Sequence, residues 1–202
     1  MSELNIFDKI IAWSTERNII DAGSVIGQVG KFNEEIGETQ GALVRTKHHN
    51  IKDGVGDALV IMTNVLKMEG YTPHRAINLN AKPRASYAEL DDNVLICGIN
   101  AKWSRFFWEE AVGISIDDLD DIASDVVELL AELARRYEFT LADALDMVFA
   151  EIEPRVGIFY NDVFIKQADF TTELLNRIIN DNAVKPEVRD FAGQQLALLK
   201  TA

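Results

Sequence analysis

QVGKFNEEIGETQGALVRTKHHNIKDGVGD, residues 28–57, sets five carboxylates on two successive helical patterns: Glu34, Glu35 and Glu38 on the first, Asp53 and Asp57 on the second. At about 100° per residue, Glu35 and Glu38 project about 60° apart, Glu34 lies about 40° from Glu38, and Asp53 lies about 40° from Asp57. Each set therefore shares one helix face. Like charges at these spacings weaken an isolated helix by about a few tenths of a kcal/mol per pair, so the clustering calls for compensation. A hard divalent cation supplies it. Mg²⁺ takes oxygen ligands, keeps several waters and is usually held by a few carboxylates together with substrate phosphates; Mn²⁺ is a second candidate for the same donors. Gln28 and Lys31 continue the acidic stripe one and two turns earlier, where an amide and a cation can meet base or phosphate.

Outward from this stretch the pattern is helical. Val25, Phe32, Ile36 and Leu43 give the first segment an apolar side, and Lys47-His48-His49-Asn50 reads as its polar exit loop. The next helix is expected over residues 51–69, and its interior ALVIMTNVL is apolar nearly all round, as for a helix packed against several others. Ile6, Ile10, Ile11 and Trp13 mark an earlier amphipathic helix over residues 4–17, and Thr72-Pro73 signals a further start. Residues 81–93 read as a connector, followed by helices over 96–112, 116–136 and 141–153. Residues 158–166 read as a loop with one extended turn, and tail helices are expected over 172–180 and 185–200. The reading is an all-α chain with a helical domain over 1–170 and a helical tail over 171–202.

At a constant offset of 68, Asp53-x-x-x-Asp57 meets Asp121-x-x-x-Asp125, Thr72 meets Thr140 and Ala76 meets Ala144. Lys31-Phe32 falls beside Lys102-Trp103 only in a shifted register, and Glu109-Glu110 is the nearest remnant of the Glu-Glu-x-x-Glu motif. Residues 74–137 are thus either a degenerate second copy or an insertion.

With 202 residues, 48% of them hydrophobic, the chain can bury a sizeable core. Its 33 acidic against 20 basic residues give a net charge of −13, which opposes binding to nucleic acid or an anionic membrane. A polyanionic substrate would have to enter with metal ions. Cys97 stands alone, no apolar run reaches a membrane span, and MSELNIFDKII lacks the features of a secretory signal. These features read as a reduced, cytoplasmic protein.

Trp13-x-x-x-Arg17-Asn18, Gln28-x-x-Lys31-x-x-Glu34-Glu35-x-Gly37-Glu38 and Lys52-Asp53-x-x-Gly56-Asp57 together resemble the MazG-like branch of the all-α nucleoside triphosphate pyrophosphohydrolases. Arg155-x-Gly157 and Val163-Phe164-x-Lys166 resemble that branch's C-terminal loop. The resemblance covers about residues 10–72 and 138–169. It implies a four-helix-bundle core, association into a homodimer or homotetramer, and Mg²⁺-dependent hydrolysis of an NTP or dNTP to NMP and pyrophosphate by metal-activated water. Position by position, Glu35, Glu38 and Asp57 match metal ligands, and Glu34 matches the first Glu of the motif. The family's second motif is usually Glu-x-x-Asp, but the position three before Asp57 is Gly54. Asp53, one residue earlier on the same face, is the substitute ligand expected here.

Glu34 is then the carboxylate left over to accept the proton of the attacking water. Lys31, Arg155 and Lys166 are cations for phosphate oxygens, and Gln28 and Trp13 complete the substrate-binding set. Each has a plainer reading: the acidic cluster as a solvated face, Lys31 and Gln28 as surface groups, Arg155 and Lys166 as surface charge, Trp13 as a core aromatic. His48 and His49 face different ways on a helix and have no cysteine beside them, which argues against zinc. The run Asp117-Asp118-Leu119-Asp120-Asp121 reads as charge at a helix start. Two other functions compete with the first: hydrolysis of another pyrophosphate, such as phosphoribosyl-ATP or an alarmone, and a catalytically inactive binding module.

Overall fold

Three-four spacing of apolar residues produces ten α-helices among the described residues, and a short stretch of two-residue alternation produces a β-hairpin. The computed structural model describes residues 5–45, 47–111, 119–161 and 163–201. The helices are α1 Ile6–Glu16, α2 Ile19–Ala22, α3 Val25–Val44, α4 His48–Met68, α5 Pro73–Ala76, α6 Asp92–Ala111, α7 Leu119–Arg136, α8 Leu141–Ile152, α9 Thr172–Asn180 and α10 Pro186–Leu199. The strands are β1 Gly157–Tyr160 and β2 Val163–Lys166. The fold is all-α, as the periodicity requires.

Several helix starts are written in the sequence. The Asn5 side chain accepts from the Asp8 N–H, Ser24 accepts from Gly27, and Thr140 with Asp143 forms a reciprocal capping box. Each satisfies backbone donors that a helix start leaves unpaired.

Helices α3 and α4 pack closely as one antiparallel pair, and α6 and α7 as another. Hydrogen bonds from Ser104 to Asn33 and from Gln40 to Asn93 run α6 antiparallel against α3. Helix α4 is the most enclosed element, with Ile51, Val55, Ala58, Leu59, Met62 and Leu66 fully buried. Helices α1 and α8 cover its remaining sides. Phe32 of α3 and Trp103 of α6 meet in the core with ring centroids 5.2 Å apart. At the far end, Glu132, only 1% exposed, accepts from Arg135 and Arg136, and Arg136 also reaches Asp92 at 2.7 Å and the Tyr87 carbonyl. That network ties the segment between α5 and α6 to the bundle.

Two glycines let α4 sit this deep. A Cβ at Gly54 would collide with the Thr39 hydroxyl of α3, and one at Gly56 with the Ala144 carbonyl oxygen of α8. Gly54 therefore cannot carry the Glu of the resembled motif, because the α3–α4 contact fills the place a side chain would need.

Some boundaries differ from the sequence expectation. Residues 48–50, expected in a polar exit loop, form the first turn of α4, where exposure explains the polarity of His49 and Asn50. Residues 157–160 and 163–166, in a stretch expected as a loop with one extended turn, form an antiparallel hairpin pairing Gly157 with Lys166 and Phe159 with Phe164. Its alternation divides two cores: Phe159 and Phe164 join the main one, while Ile158, Tyr160 and Ile165 join a second one with Phe170, α9 and α10. Of the acidic run, Asp120 and Asp121 lie in the first turn of α7, and Asp117 and Asp118 fall outside the described residues. No helix among the described residues is long and apolar enough to cross a membrane.

Candidate active site

Helix α3 presents Gln28, Lys31, Glu34, Glu35 and Glu38 along one side, at the spacing the sequence dictates. Facing them across a cavity of about 700 Å³, α4 presents Asp53, Asp57, Ile61 and Asn64. Trp13 of α1, Arg155 beyond α8, and Phe164 and Lys166 of the hairpin close the remaining wall. All ten residues singled out from the sequence line this one cavity, whose volume suits a small-molecule ligand.

Its electrostatics are unbalanced at one end. The Asp57 carboxyl is pushed up to about 7, by burial first and then by the charges of Glu35 and Asp53. Burial and nearby carboxylates also raise Glu35, although Lys31 opposes the shift, and burial together with Glu151 raises Asp53. Lys31 Nζ lies 2.9 Å from Glu34 and 3.1 Å from Glu35. Burial alone would lower the Lys31 ammonium, but these two bonds outweigh it and hold it above its ordinary value.

The walls are held from behind. The Arg17 guanidinium sits 4.6 Å from the centre of the Trp13 ring and donates to the Arg155 carbonyl oxygen at 2.8 and 3.0 Å. It thereby fixes the chain segment that carries Arg155, whose own guanidinium pairs with Glu151. Trp13, 9% exposed, is both a core aromatic and part of the cavity wall, with Phe164 at 5.8 Å. Lys166 makes no ion pair among the described residues.

Sequence reasoning did not single out Asn64. It lies seven residues beyond Asp57 on the same helix face, 3% exposed, and its Oδ1 accepts from the fully buried Ser14 Oγ at 2.8 Å. The available signal was the polar pair Thr63-Asn64 inside an otherwise apolar run.

The acidic pair of α7 lies in a different setting. A separate cleft of about 370 Å³ there is lined by Arg84, Lys102, Arg105, Asp121 and Asp125. Lys102 Nζ lies 2.5 Å from Asp125, and Arg84 pairs with both Asp125 and Glu128. Burial would raise Asp125, but Lys102 and Arg84 outweigh it and hold it below the usual carboxylate range.

Compared with protein-family models, curated proteins and solved structures, the chain matches none. The site therefore has to be read from its own chemistry. Glu35, Glu38, Asp53 and Asp57 are all-oxygen donors crowded at one end of a cavity, which is the donor chemistry of a hard divalent cation. As folded, Lys31 engages Glu34 and Glu35, and among the described residues no three His, Cys, Asp or Glu side chains are arranged to hold an ion. The donor types fit Mg²⁺ or Mn²⁺.

Proposed function

We propose that this chain is a Mg²⁺-dependent nucleoside triphosphate pyrophosphohydrolase, cleaving an NTP or dNTP to NMP and pyrophosphate. One observation carries the reading. A single cavity joins a carboxylate end to an amide and aromatic end, with Lys31, Arg155 and Lys166 along its walls. The resemblance of the Glu-Glu-x-x-Glu and Asp-x-x-x-Asp stretches to the MazG-like branch supports it. Residues 74–137 are read with it either as a degenerate second copy, which the 68-residue offset supports, or as an insertion.

Glu35, Glu38, Asp53 and Asp57 would hold the cation, which supplies Lewis acidity toward the phosphate and acidifies water. Glu34, exposed at the cavity rim and bonded to Lys31, is the carboxylate placed to accept the proton of the attacking water. When an anionic substrate enters, Lys31 can exchange its carboxylate partners for phosphate oxygens. Arg155 offers a fork and Lys166 a point charge for the leaving pyrophosphate, where most of the charge collects. Trp13, Phe164 and Gln28 line the part of the cavity left for base and sugar.

Chromatography of the products from a dNTP incubated with Mg²⁺ tests this reading. NMP plus intact pyrophosphate is expected, and Glu38→Gln should abolish the release. NDP plus orthophosphate would sink the mechanism, while hydrolysis of none of a broad panel of nucleotides would favour a binding module.

A further inference from the structure

Asp57 and Asn64 are separated by seven residues, two helical turns, so they share one face of α4 about 10 Å apart. Glu35 and Gln28 have the same separation on α3. Because α3 and α4 run antiparallel, Gln28 and Asn64 come together at the end of the cavity away from the carboxylates. Both are largely enclosed, at 8% and 3% exposed. Ile19, Ile61, Trp13 and Phe164 make the rest of this end apolar and aromatic.

The Asn64 amide is not free to turn. Ser14 lies behind it, fully buried, and its hydroxyl donates to Asn64 Oδ1 at 2.8 Å. The carbonyl oxygen is thereby occupied, and the Nδ2 amino group is the half of the amide left for a ligand. Neither that amino group nor the Gln28 amide bonds to another described residue. Both amides line the cavity, where a ligand can take the place of water on them.

We propose that this end of the cavity selects nucleobases bearing an oxo group, with Asn64 as the specificity-determining residue and Ser14 as the positioning residue that orients it. The inference rests on the nucleotide reading above. An amide NH₂ donates to a carbonyl oxygen and meets an exocyclic amino group donor to donor. Guanine, thymine, uracil and cytosine carry an oxo group, whereas adenine carries an amino group and none. Gln28, whose amide no described residue pins, can present either its oxygen or its nitrogen to the neighbouring position. Where adenine's amino group takes the position of that oxo group, the fixed donor is left unpaired and the base is rejected.

The test compares kcat/KM for dATP, dGTP, dTTP, dUTP and dCTP, and calorimetric binding of the matching monophosphates, in the unmodified chain, Ser14→Ala and Asn64→Asp. The adenine nucleotide is expected to be poorest, by about tenfold or more. Asn64→Asp replaces the donor with an acceptor and should erase or invert that order. Ser14→Ala lets the amide turn over and should shrink the discrimination, whereas a merely structural role for Ser14 would weaken all five nucleotides alike. Adenine nucleotides that rank with the best, or a ratio that neither variant moves, would overturn the inference. Monophosphate binding with the expected order but no turnover would leave it standing and remove the hydrolase reading. Turnover with a flat base profile would do the reverse, and no nucleotide binding at all would end both.

Discussion

Asp57 and Asp125 occupy corresponding places in two Asp-x-x-x-Asp patterns, yet their surroundings have opposite sign. Asp57 is crowded by Glu35 and Asp53, and Asp125 is neutralised by Lys102 and Arg84. Asp57→Asn should therefore cut turnover by about a hundredfold or more. The same change should raise the melting temperature of the metal-free protein, since it removes a half-buried charge from among like charges. Asp125→Asn should do the opposite, lowering the melting temperature while turnover persists, because Lys102 loses its carboxylate partner and Arg84 keeps only Glu128. Pyrophosphate release and thermal melts in a chelator read both effects, and equal loss of activity in the two variants would place a working site in the second half. Glu132 carries a pH dependence of its own. Hydrogen bonds from Arg135, and then Arg136, outweigh burial and draw its carboxyl from 4.5 down to about 2. Its folded pKa is depressed, so its contribution is fully present above pH 4.5 and is lost as pH falls through about 2. Glu132→Gln should cost about 1–3 kcal/mol at neutral pH. Urea unfolding across the range should show that gap closing toward pH 2; a constant gap would mean that the ion network adds nothing.

Helix α4 is placed by what its glycines lack. In an open helix, Gly→Ala gains about 1 kcal/mol from propensity, but at Gly54 and Gly56 the added methyl has no room. Overpacking costs about 1–3 kcal/mol, so both alanine variants should be destabilised. Gly56→Ala should be the worse, because its obstacle is the Ala144 backbone while that of Gly54 is a threonine hydroxyl. Denaturant midpoints would decide it, and a stabilised Gly56→Ala would mean that α4 and α8 are not in close contact. This close approach also marks the limit of what periodicity can tell. The 3.6-residue repeat places Glu35, Glu38, Asp53 and Asp57 on their faces, and all of them line one cavity. It cannot say which helix lies opposite, so Gly54 registers only as a departure from a motif, and Asn64 disappears into an apolar run. His49 and Asn50 read as loop although they lie in α4, because polarity signals exposure as readily as it signals a loop. The hairpin was missed because a four-residue strand holds barely two periods of alternation.

At the scale of the whole molecule, two cores meet at one hairpin. Phe159 and Phe164 point into the main core, and Ile158, Tyr160 and Ile165 into the smaller one built by α9 and α10. Further contacts hold the tail in place: the Tyr160 hydroxyl donates to Asp181 at 3.0 Å, Gln167 donates to Gln195 at 2.6 Å, and Lys185 lies 3.1 Å from Asp21. The main core draws on α1, α3, α4 and α6 to α8 and needs nothing from the tail. The cavity does, because Phe164 and Lys166 reach it from a two-stranded sheet, and an isolated hairpin is at best marginally stable in water. Ending the chain after residue 170 should leave the helical circular dichroism of α1 to α8 and a cooperative melt intact. It should also expose Ile158 and Tyr160 and loosen the hairpin. Because Phe164 and Lys166 contact substrate in the proposed reading while the carboxylates sit on α3 and α4, the loss should fall on affinity first. A rise in KM of about tenfold, with a smaller change in kcat, is the expected signature. An unchanged KM would show that the hairpin holds without its second core, and loss of the cooperative melt would show that the main core depends on the tail after all.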